Sequence, residues 1–278
     1  MHLVCPPETL IELTRLNPFA RFPDGRPRVP DDLIERMKPV TTEEAWGTLR
    51  KHGYTQQFAG NWFATHPNRV LVGRAVTTVF VPRRPDLHEL VEESGQQQGR
   101  IGGQNSWVID TLEKGDVMVV DMFDKVVNGA FIGDNLATSI RRRTMAGAVI
   151  EGTIRDYQGI RDLPDVNFFC RGLHPSFILD VTLLSINLPV RIGETTVLPG
   201  DIVLGTPTGV VFIPPHLAQE VVERSEDVRV RDEFGKQRLG EGRYTPGEID
   251  RVWSDEIEAD FTDWKSRRAA LDVSASGP

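Results

Sequence analysis

The chain has 278 residues, 39% of them hydrophobic, and a formal net charge of −8. This is enough apolar material for one large domain, or for a domain with extensions. The acidic balance, with no dense Lys/Arg cluster, argues against a nucleic-acid binder. The nearest basic run, Arg141-Arg142-Arg143, falls in a helical pattern and reads as a solvated helix face. Two cysteines, Cys5 and Cys170, make no disulfide framework, and a reducing, cytoplasmic setting is expected. No stretch reaches the roughly 18 apolar residues that a membrane span needs. Met1–Pro7 lacks the basic region and apolar core of a secretory signal.

In chain order, residues 1–40 are punctuated by Pro18, Pro23, Pro27, Pro30 and Pro39. They read as an N-terminal extension with short helices over Glu8–Leu16 and Asp31–Met37, wrapping the domain or a neighbouring subunit. Thr41-Thr42-Glu43-Glu44 has capping-box spacing, predicting a helix to about His52. Val70–Pro82 is rich in Val and Thr and predicts a strand; Asp86–Ser94 predicts a short helix opened by Pro85. Gly95–Gly103 is polar and glycine-rich, and is expected to be a mobile loop. Further strands are predicted over Val117–Asp121, Ala148–Glu151, Val166–Cys170, Ser185–Ile192, Ile202–Leu204 and Val210–Ile213, with helices over Asp134–Ala146 and Pro214–Arg224. This order suggests a layered mixed α/β domain over residues 41–224. Ser225–Arg243 is charged and broken by glycine. Pro246–Lys265 then places Ile249, Val252, Trp253, Ile257, Phe261 and Trp264 at helical spacing. Residues 225–278 therefore read as a C-terminal helical extension whose aromatic face makes a subunit or domain contact, ending in a frayed Leu271–Pro278.

Phosphate loops of the GxxxxGK[ST] type, GxSxG elbows and HExxH pairs are absent. The cysteines lack paired spacing, so any metal should be held by oxygen, which favours magnesium or manganese over zinc. One segment is suited to chemistry. Gly129-Ala130-Phe131-Ile132-Gly133-Asp134-Asn135-Leu136 runs a glycine-bearing turn into a helix, and a strand then ends in Glu151-Gly152-Thr153-Ile154-Arg155-Asp156. Unpaired N–H groups at a helix start offer a site for a carboxylate. Arg155 can grip a carboxylate or a 2-oxo oxygen through two N–H groups, and Asp156 can hold a hydrated dication. Together they suit a reaction that develops enolate charge. Each residue also has a purely structural reading: Arg155-Asp156 as a surface ion pair, Asp134 as a helix cap.

Asp134, twenty intervening residues and then Arg155-Asp156 resemble the signature of the 4-hydroxy-4-methyl-2-oxoglutarate aldolase family, which also contains RraA-type regulators of ribonuclease E. Thr42–Gly53, Gly73-Arg74-Ala75-Val76-Thr77, Gly115-Asp116-Val117, Pro199-Gly200-Asp201-Ile202-Val203 and Gly209–Pro214 are similar to further family segments in the same order, from about Thr41 to Arg224. The resemblance implies a layered α-β-β-α fold of the RraA-like, swivelling-domain-like type, trimers or hexamers with sites near subunit boundaries, and magnesium- or manganese-dependent aldol cleavage or oxaloacetate decarboxylation that yields pyruvate. It implies Asp156 as the metal-anchoring carboxylate and Arg155 as the group that binds the pyruvoyl part of a small 2-oxo acid. It implies Asp134 as the residue that orients water for proton transfer, and the turn at Gly133 with the amides of Asn135 and Leu136 as the cradle for the substrate carboxylate. Gly205-Thr206-Pro207-Thr208-Gly209 departs from the acidic residues common in the family before the final Gly-Val. Glu241 and Glu248 are candidates for completing a neighbour's metal site, against the simpler reading of solvated charges. His174 and Cys170 read as structural, and Trp46, Trp62 and Trp107 as packing. A non-catalytic, protein-binding regulator, or a lyase or hydratase for a different oxo-acid, are the alternatives.

Overall fold

The computed structural model describes residues 3–275, with side chains to residue 268. It divides into two compact units, Met1–Val222 and Glu223–Pro278. In the first, helices α1 (Pro7–Leu13), α2 (Asp31–Met37) and α3 (Thr42–Lys51) precede strands β1 (Phe58–Ala59), β2 (Phe63–Ala64) and β3 (Leu71–Pro82). Then come α4 (Pro85–Gln97), α5 (Gln104–Ile109), β4 (Asp116–Ala130), α6 (Asp134–Thr144), β5 (Gly147–Ile154), α7 (Tyr157–Arg161) and β6 (Asn167–Leu173). The strands β7 (Val181–Ile186), β8 (Val190–Ile192), β9 (Thr195–Val197), β10 (Ile202–Thr206) and β11 (Gly209–Ile213) follow, and a short 3-10 turn leads into α8 (Ala218–Gly240), which runs past the unit boundary.

The main sheet has nine strands in the order β1-β11-β10-β3-β4-β5-β6-β2, with β7 also paired to β3. β3, β4, β5 and β6 are mutually parallel; β10 and β11 are antiparallel. Side-chain alternation shows how this sheet makes layers. Met118, Val120, Ala148, Ile150, Phe168 and Cys170 face one apolar cluster together with Val91 of α4, Trp107 of α5 and Ile140 of α6. Their strand neighbours Val117, Val119, Val149 and Phe169 face inward against Val203, Val210 and Phe212 of β10 and β11. The opposite side chains of those two strands, Ile202, Leu204, Val211 and Ile213, meet Leu33, Met37, Ala45 and Leu49 of α2 and α3. Because period-2 alternation puts neighbours on opposite faces, the sheet must curl on itself, giving helices, strands, strands and helices in succession. The short β8–β9 ribbon adds Val190, Ile192 and Val197 to the inner core. Each such side chain contributes roughly 1.5–3 kcal/mol of burial.

Local chemistry explains the boundaries. In the capping box of α3, Glu44 N donates to Thr41 Oγ1 at 3.2 Å and Thr41 N to Glu44 Oε2 at 2.8 Å. Helix α6 closes on Met145 in the left-handed region, φ 55°. Gly147 follows at φ 145°, where a Cβ would lie 1.8 Å from Asn167 O, so only glycine lets β5 enter beside β6.

The N-terminal segment is tied into the first unit. Val4 bridges Ile186 of β7. Buried Arg26 donates to Asp116 at 2.9 and 3.3 Å through Nη1 and Nη2. Several expectations need correction. Gly95–Gly103 is no simple loop, because α4 continues to Gln97 and Gly95 lies under Trp107, whose ring would meet an added Cβ at 2.3 Å. Ser185–Ile192 is two strands separated by a turn, and β4 runs nine residues past Asp121. Ser225–Arg243 is not broken at Gly235: α8 passes through it to Gly240.

The second unit contains the rest of α8, with α9 (Pro246–Ile249) and α10 (Asp255–Ala275). Phe234 is its centre, with ring centroids 5.2 Å from Trp253, 5.3 Å from Phe261 and 5.7 Å from Trp264. The aromatic face thus forms this unit's own core. Val252, expected on that face, is exposed in the break between α9 and α10. Arg238 donates to both oxygens of Asp260, at 2.8 and 3.0 Å. The expected frayed end, Leu271–Pro278, lies partly outside the described residues. No helix among the described residues is long and apolar enough to cross a membrane.

Candidate active site

Adjacent parallel strands bring their carboxyl ends to the same edge of a sheet, the place where open α/β sheets bind ligands. Here the edge is made by β4 and β5. The ladder continues past them, with Phe131 N donating to Thr153 O at 2.9 Å and Arg155 N to Ile132 O at 3.0 Å. Asn105 supports the turn by donating to Phe131 O at 2.8 Å, and His174 N donates to Ile154 O at 3.0 Å. The start of α6 and the end of β5 are therefore fixed side by side, which brings Asp134, Arg155 and Asp156 together.

Two glycines set how closely. A Cβ on Gly133 would lie 2.3 Å from Asp156 Oδ2 and 3.3 Å from Arg155 Nε, so the carboxylate rests directly on the turn before α6. A Cβ on Gly159 would lie 2.8 Å from Asp134 Oδ2, so α7 makes room for the second carboxylate. Asp156 itself sits at φ 54°, ψ 40°, a left-handed conformation that aspartate tolerates better than most residues. Its carbonyl accepts from Gly159 N and Ile160 N at 3.1 and 3.2 Å. Arg155 Nε stands 3.5 Å from Asp156 Oδ2, and the two side chains are 41% and 45% exposed. They form a half-open pair rather than a sealed one.

The turn residues read as a carboxylate cradle divide. Leu136 N–H has no hydrogen bond among the described residues, while its side chain packs on the core. Asn135 N–H instead donates to Asp134 Oδ1 at 2.8 Å, so its amide opens only if the Asp134 carboxylate turns away. His174 is held as expected of a structural residue, with Nδ1 2.8 Å from Ser176 Oγ. Cys170 is buried, which pushes its thiol up to about 12. Glu248 caps α9 through Thr245 N at 2.8 Å, and Glu241 accepts from Arg238 at 2.8 Å. Both acids thus have structural work within the second unit.

Among the described residues, no group of three His, Cys, Asp or Glu side chains is placed to hold a metal ion. The donor set is two carboxylates, Asp134 and Asp156, beside a guanidinium. It fits a hard dication that keeps most of its waters and takes one or two carboxylates, as magnesium does. Sequence reasoning missed Gly159. The available signal was a glycine three residues after Asp156, next to the Arg155-Asp156 pair; it lies in α7.

The RraA-like family model, described as Aldolase/RraA, matches residues 32–212. The chain belongs to the RraA-like family. Among curated relatives, a Halalkalibacterium halodurans protein provisionally named a 4-hydroxy-4-methyl-2-oxoglutarate aldolase is 30% identical over 129 residues, 46% of this chain and 60% of that protein. Protein DlpA of Legionella pneumophila is 27% identical over 173 residues, 62% of this chain and 26% of DlpA. The chain thus spans less than two thirds of the length of both. Among solved structures, Streptomyces coelicolor RraAS2, described as an unusual member of the RNase ES inhibitor RraA protein family, superposes with a TM-score of 0.64 at 27% identity, covering 80% of this chain and all of that one. An uncharacterised Pseudomonas syringae protein shares the fold, with a TM-score of 0.64 at 20% identity.

Proposed function

We propose that this RraA-like protein is a magnesium- or manganese-dependent carbon–carbon lyase that releases pyruvate from a small 2-oxo acid, by aldol cleavage, by decarboxylation of oxaloacetate, or both. The observation that carries this reading is the convergence of Asp134, Arg155 and Asp156 at the carboxyl ends of β4 and β5, with Gly133 and Gly159 clearing the space between them. Asp156 would hold the ion, whose contribution is a Lewis acid at the 2-oxo group. Arg155 binds the substrate carboxylate and 2-oxo oxygen through two N–H groups and stabilises the negative charge that develops on the enolate oxygen. Leu136 N–H, at the positive end of α6, donates to the substrate carboxylate from the other side. Asp134 orients the water that takes the proton from the 4-hydroxyl. The 4-oxygen then forms a C=O bond as the C3–C4 bond breaks, releasing the C4 fragment as a second carbonyl compound; the C3–C4 electron pair forms the pyruvate enolate, and protonation at C3 gives pyruvate. Loss of carbon dioxide from oxaloacetate leads to the same enolate, so one charge-stabilising site serves both reactions.

The centre is half-exposed, and an apolar patch of Val126, Val127, Leu173, Phe177 and Leu179 is exposed on β4, β6 and the loop after β6. This supports self-association into a trimer or hexamer that walls the site. The deciding experiment is pyruvate release from oxaloacetate and from 4-hydroxy-4-methyl-2-oxoglutarate, with magnesium or manganese and again with a chelator. Asp156→Asn should abolish metal binding and turnover together; full activity in that variant removes the assignment. The RraAS2 match over that protein's full length favours a second reading, a ribonuclease-binding regulator. Stoichiometric capture of a ribonuclease E-type enzyme, with no pyruvate formed from either acid, would select it.

A further inference from the structure

A second cleft opens at the opposite edge of the parallel strands, where β3 and β4 begin. Its volume is about 390 Å³, and its walls include Phe22, Arg28, Arg74, Lys114 and Gly115. Arg74 is only 2% exposed. Its guanidinium is fixed from behind: Nε donates to Val29 O at 2.8 Å, and Nη2 donates to Val29 O and to the Asp31 carboxylate. Nη1 makes no hydrogen bond among the described residues. It faces Gly115, where an added Cβ would come within 2.8 Å of it. Nor is it sealed off: among the described residues, the partnerless side-chain atoms buried from solvent are Glu151 Oε2, Asn187 Oδ1 and Thr195 Oγ1. A rigidly held donor carrying positive charge therefore looks into the cleft without an acceptor. Water or a solute in the cleft can complete it, and a charged acceptor makes the stronger hydrogen bond.

The surroundings favour an anion. Arg28 and Lys114 have no ion-pair partner among the described residues; both line the cleft, and both help Arg74 hold the Asp31 carboxyl below its usual range. Arg28 is steadied over the Phe22 ring, 5.5 Å from its centroid. Of the nearby acids, Asp31 is engaged by Arg74 and Glu35 by Lys38, leaving Glu113 on the rim against two unpaired cations. A locally positive pocket on a chain of net charge −8 gathers small anions by focusing its field.

We propose that this cleft is a second small-molecule site that takes an oxyanion, phosphate or carboxylate, between Arg74 Nη1, Arg28 and Lys114. It is separate from the Asp134–Arg155–Asp156 centre and does not depend on the reaction assigned there. The test is calorimetric titration of the full chain with sodium phosphate and with sodium acetate, each against sodium chloride at matched ionic strength. The expected result is saturable binding that survives Arg155→Ala, which removes the other anion-binding cation, and weakens by about tenfold or more in Lys114→Ala and in Arg28→Ala, the effect of losing one charged hydrogen bond. Response to phosphate alone would assign tetrahedral anions, and response to both salts would assign small oxyanions in general. No saturable binding above chloride, or binding lost in Arg155→Ala yet unchanged in the Lys114 and Arg28 variants, overturns the proposal. Both tested side chains are at the surface, and an unchanged melting temperature without ligand verifies that the variants fold.

Discussion

Gly133→Ala probes the centre with one methyl group. The glycine sits at φ −112°, ψ −170°, an extended conformation that alanine adopts freely, so the backbone is not strained. The added Cβ would stand 2.3 Å from Asp156 Oδ2, about 1 Å inside a carbon–oxygen contact. The carboxylate is the free end of a side chain that is 45% exposed, and it can swing away at little steric cost. Stability should therefore fall by roughly 0.5–1 kcal/mol, the difference between glycine and alanine at a helix N-cap. Turnover should respond far more. A displacement of about 1 Å in a group that positions the reacting centre costs on the order of 10²-fold, or about 2.7 kcal/mol of barrier. The assay pairs a thermal melt with metal-dependent pyruvate release from oxaloacetate. A variant that melts within a few degrees of the parent and loses about two orders of magnitude in kcat fits the reasoning. A variant that melts normally and keeps at least half the parental rate refutes it, because the placement of Asp156 against the turn would then be irrelevant to the reaction.

Other outcomes follow from the same geometry. Arg155→Ala should lower kcat by about 10²–10³-fold, the scale of losing one charge-stabilising donor, with little change in the melting curve because its side chain is 41% exposed; a collapsed melt would mark it as a structural ion pair. Burial raises the Asp201 carboxyl to about 7, against the pull of the Leu198 N–H that donates to it at 2.8 Å. Between its unfolded value near 4 and that value, the native state holds a proton that the unfolded chain has lost, so stability should fall as pH rises, by up to about 1.4 kcal/mol per unit. Asp201→Asn should flatten the slope measured by denaturant unfolding at pH 5 and pH 7, and an unchanged slope would contradict this origin. Arg26→Met should cost about 3–5 kcal/mol by leaving Asp116 buried without its cation; a loss under 1 kcal/mol in denaturant unfolding would mean that the N-terminal segment is not integral to the first unit.

Much of this was written locally. The capping box at Thr41, the helix over Asp31–Met37, the turn into a helix at Gly133-Asp134 and the strand ending at Ile154–Asp156 follow from neighbours within a few residues, and the joint spacing of Asp134 with Arg155-Asp156 marked the three residues that meet. Two of the misreadings share one cause. Gly95 and Gly235 look like breaks along the chain, yet each sits inside a helix against a bulky partner, Trp107 or Ile249, and close packing of that kind depends on residues distant in sequence.

By itself, then, the sequence determined the periodicities, the turns and the chemical types gathered at the ends of β4 and β5, because propensity, capping and alternation act within a turn or a strand. Only the tertiary structure decided that the sheet curls so that alternate faces of β10 and β11 serve two cores, that Asn135 N–H is taken by Asp134, that Gly159 makes room for that carboxylate, and that Arg74 turns an unmatched donor into a second cleft. Each of these is set by which distant backbone lies within a few ångströms, and that emerges only when the whole chain packs.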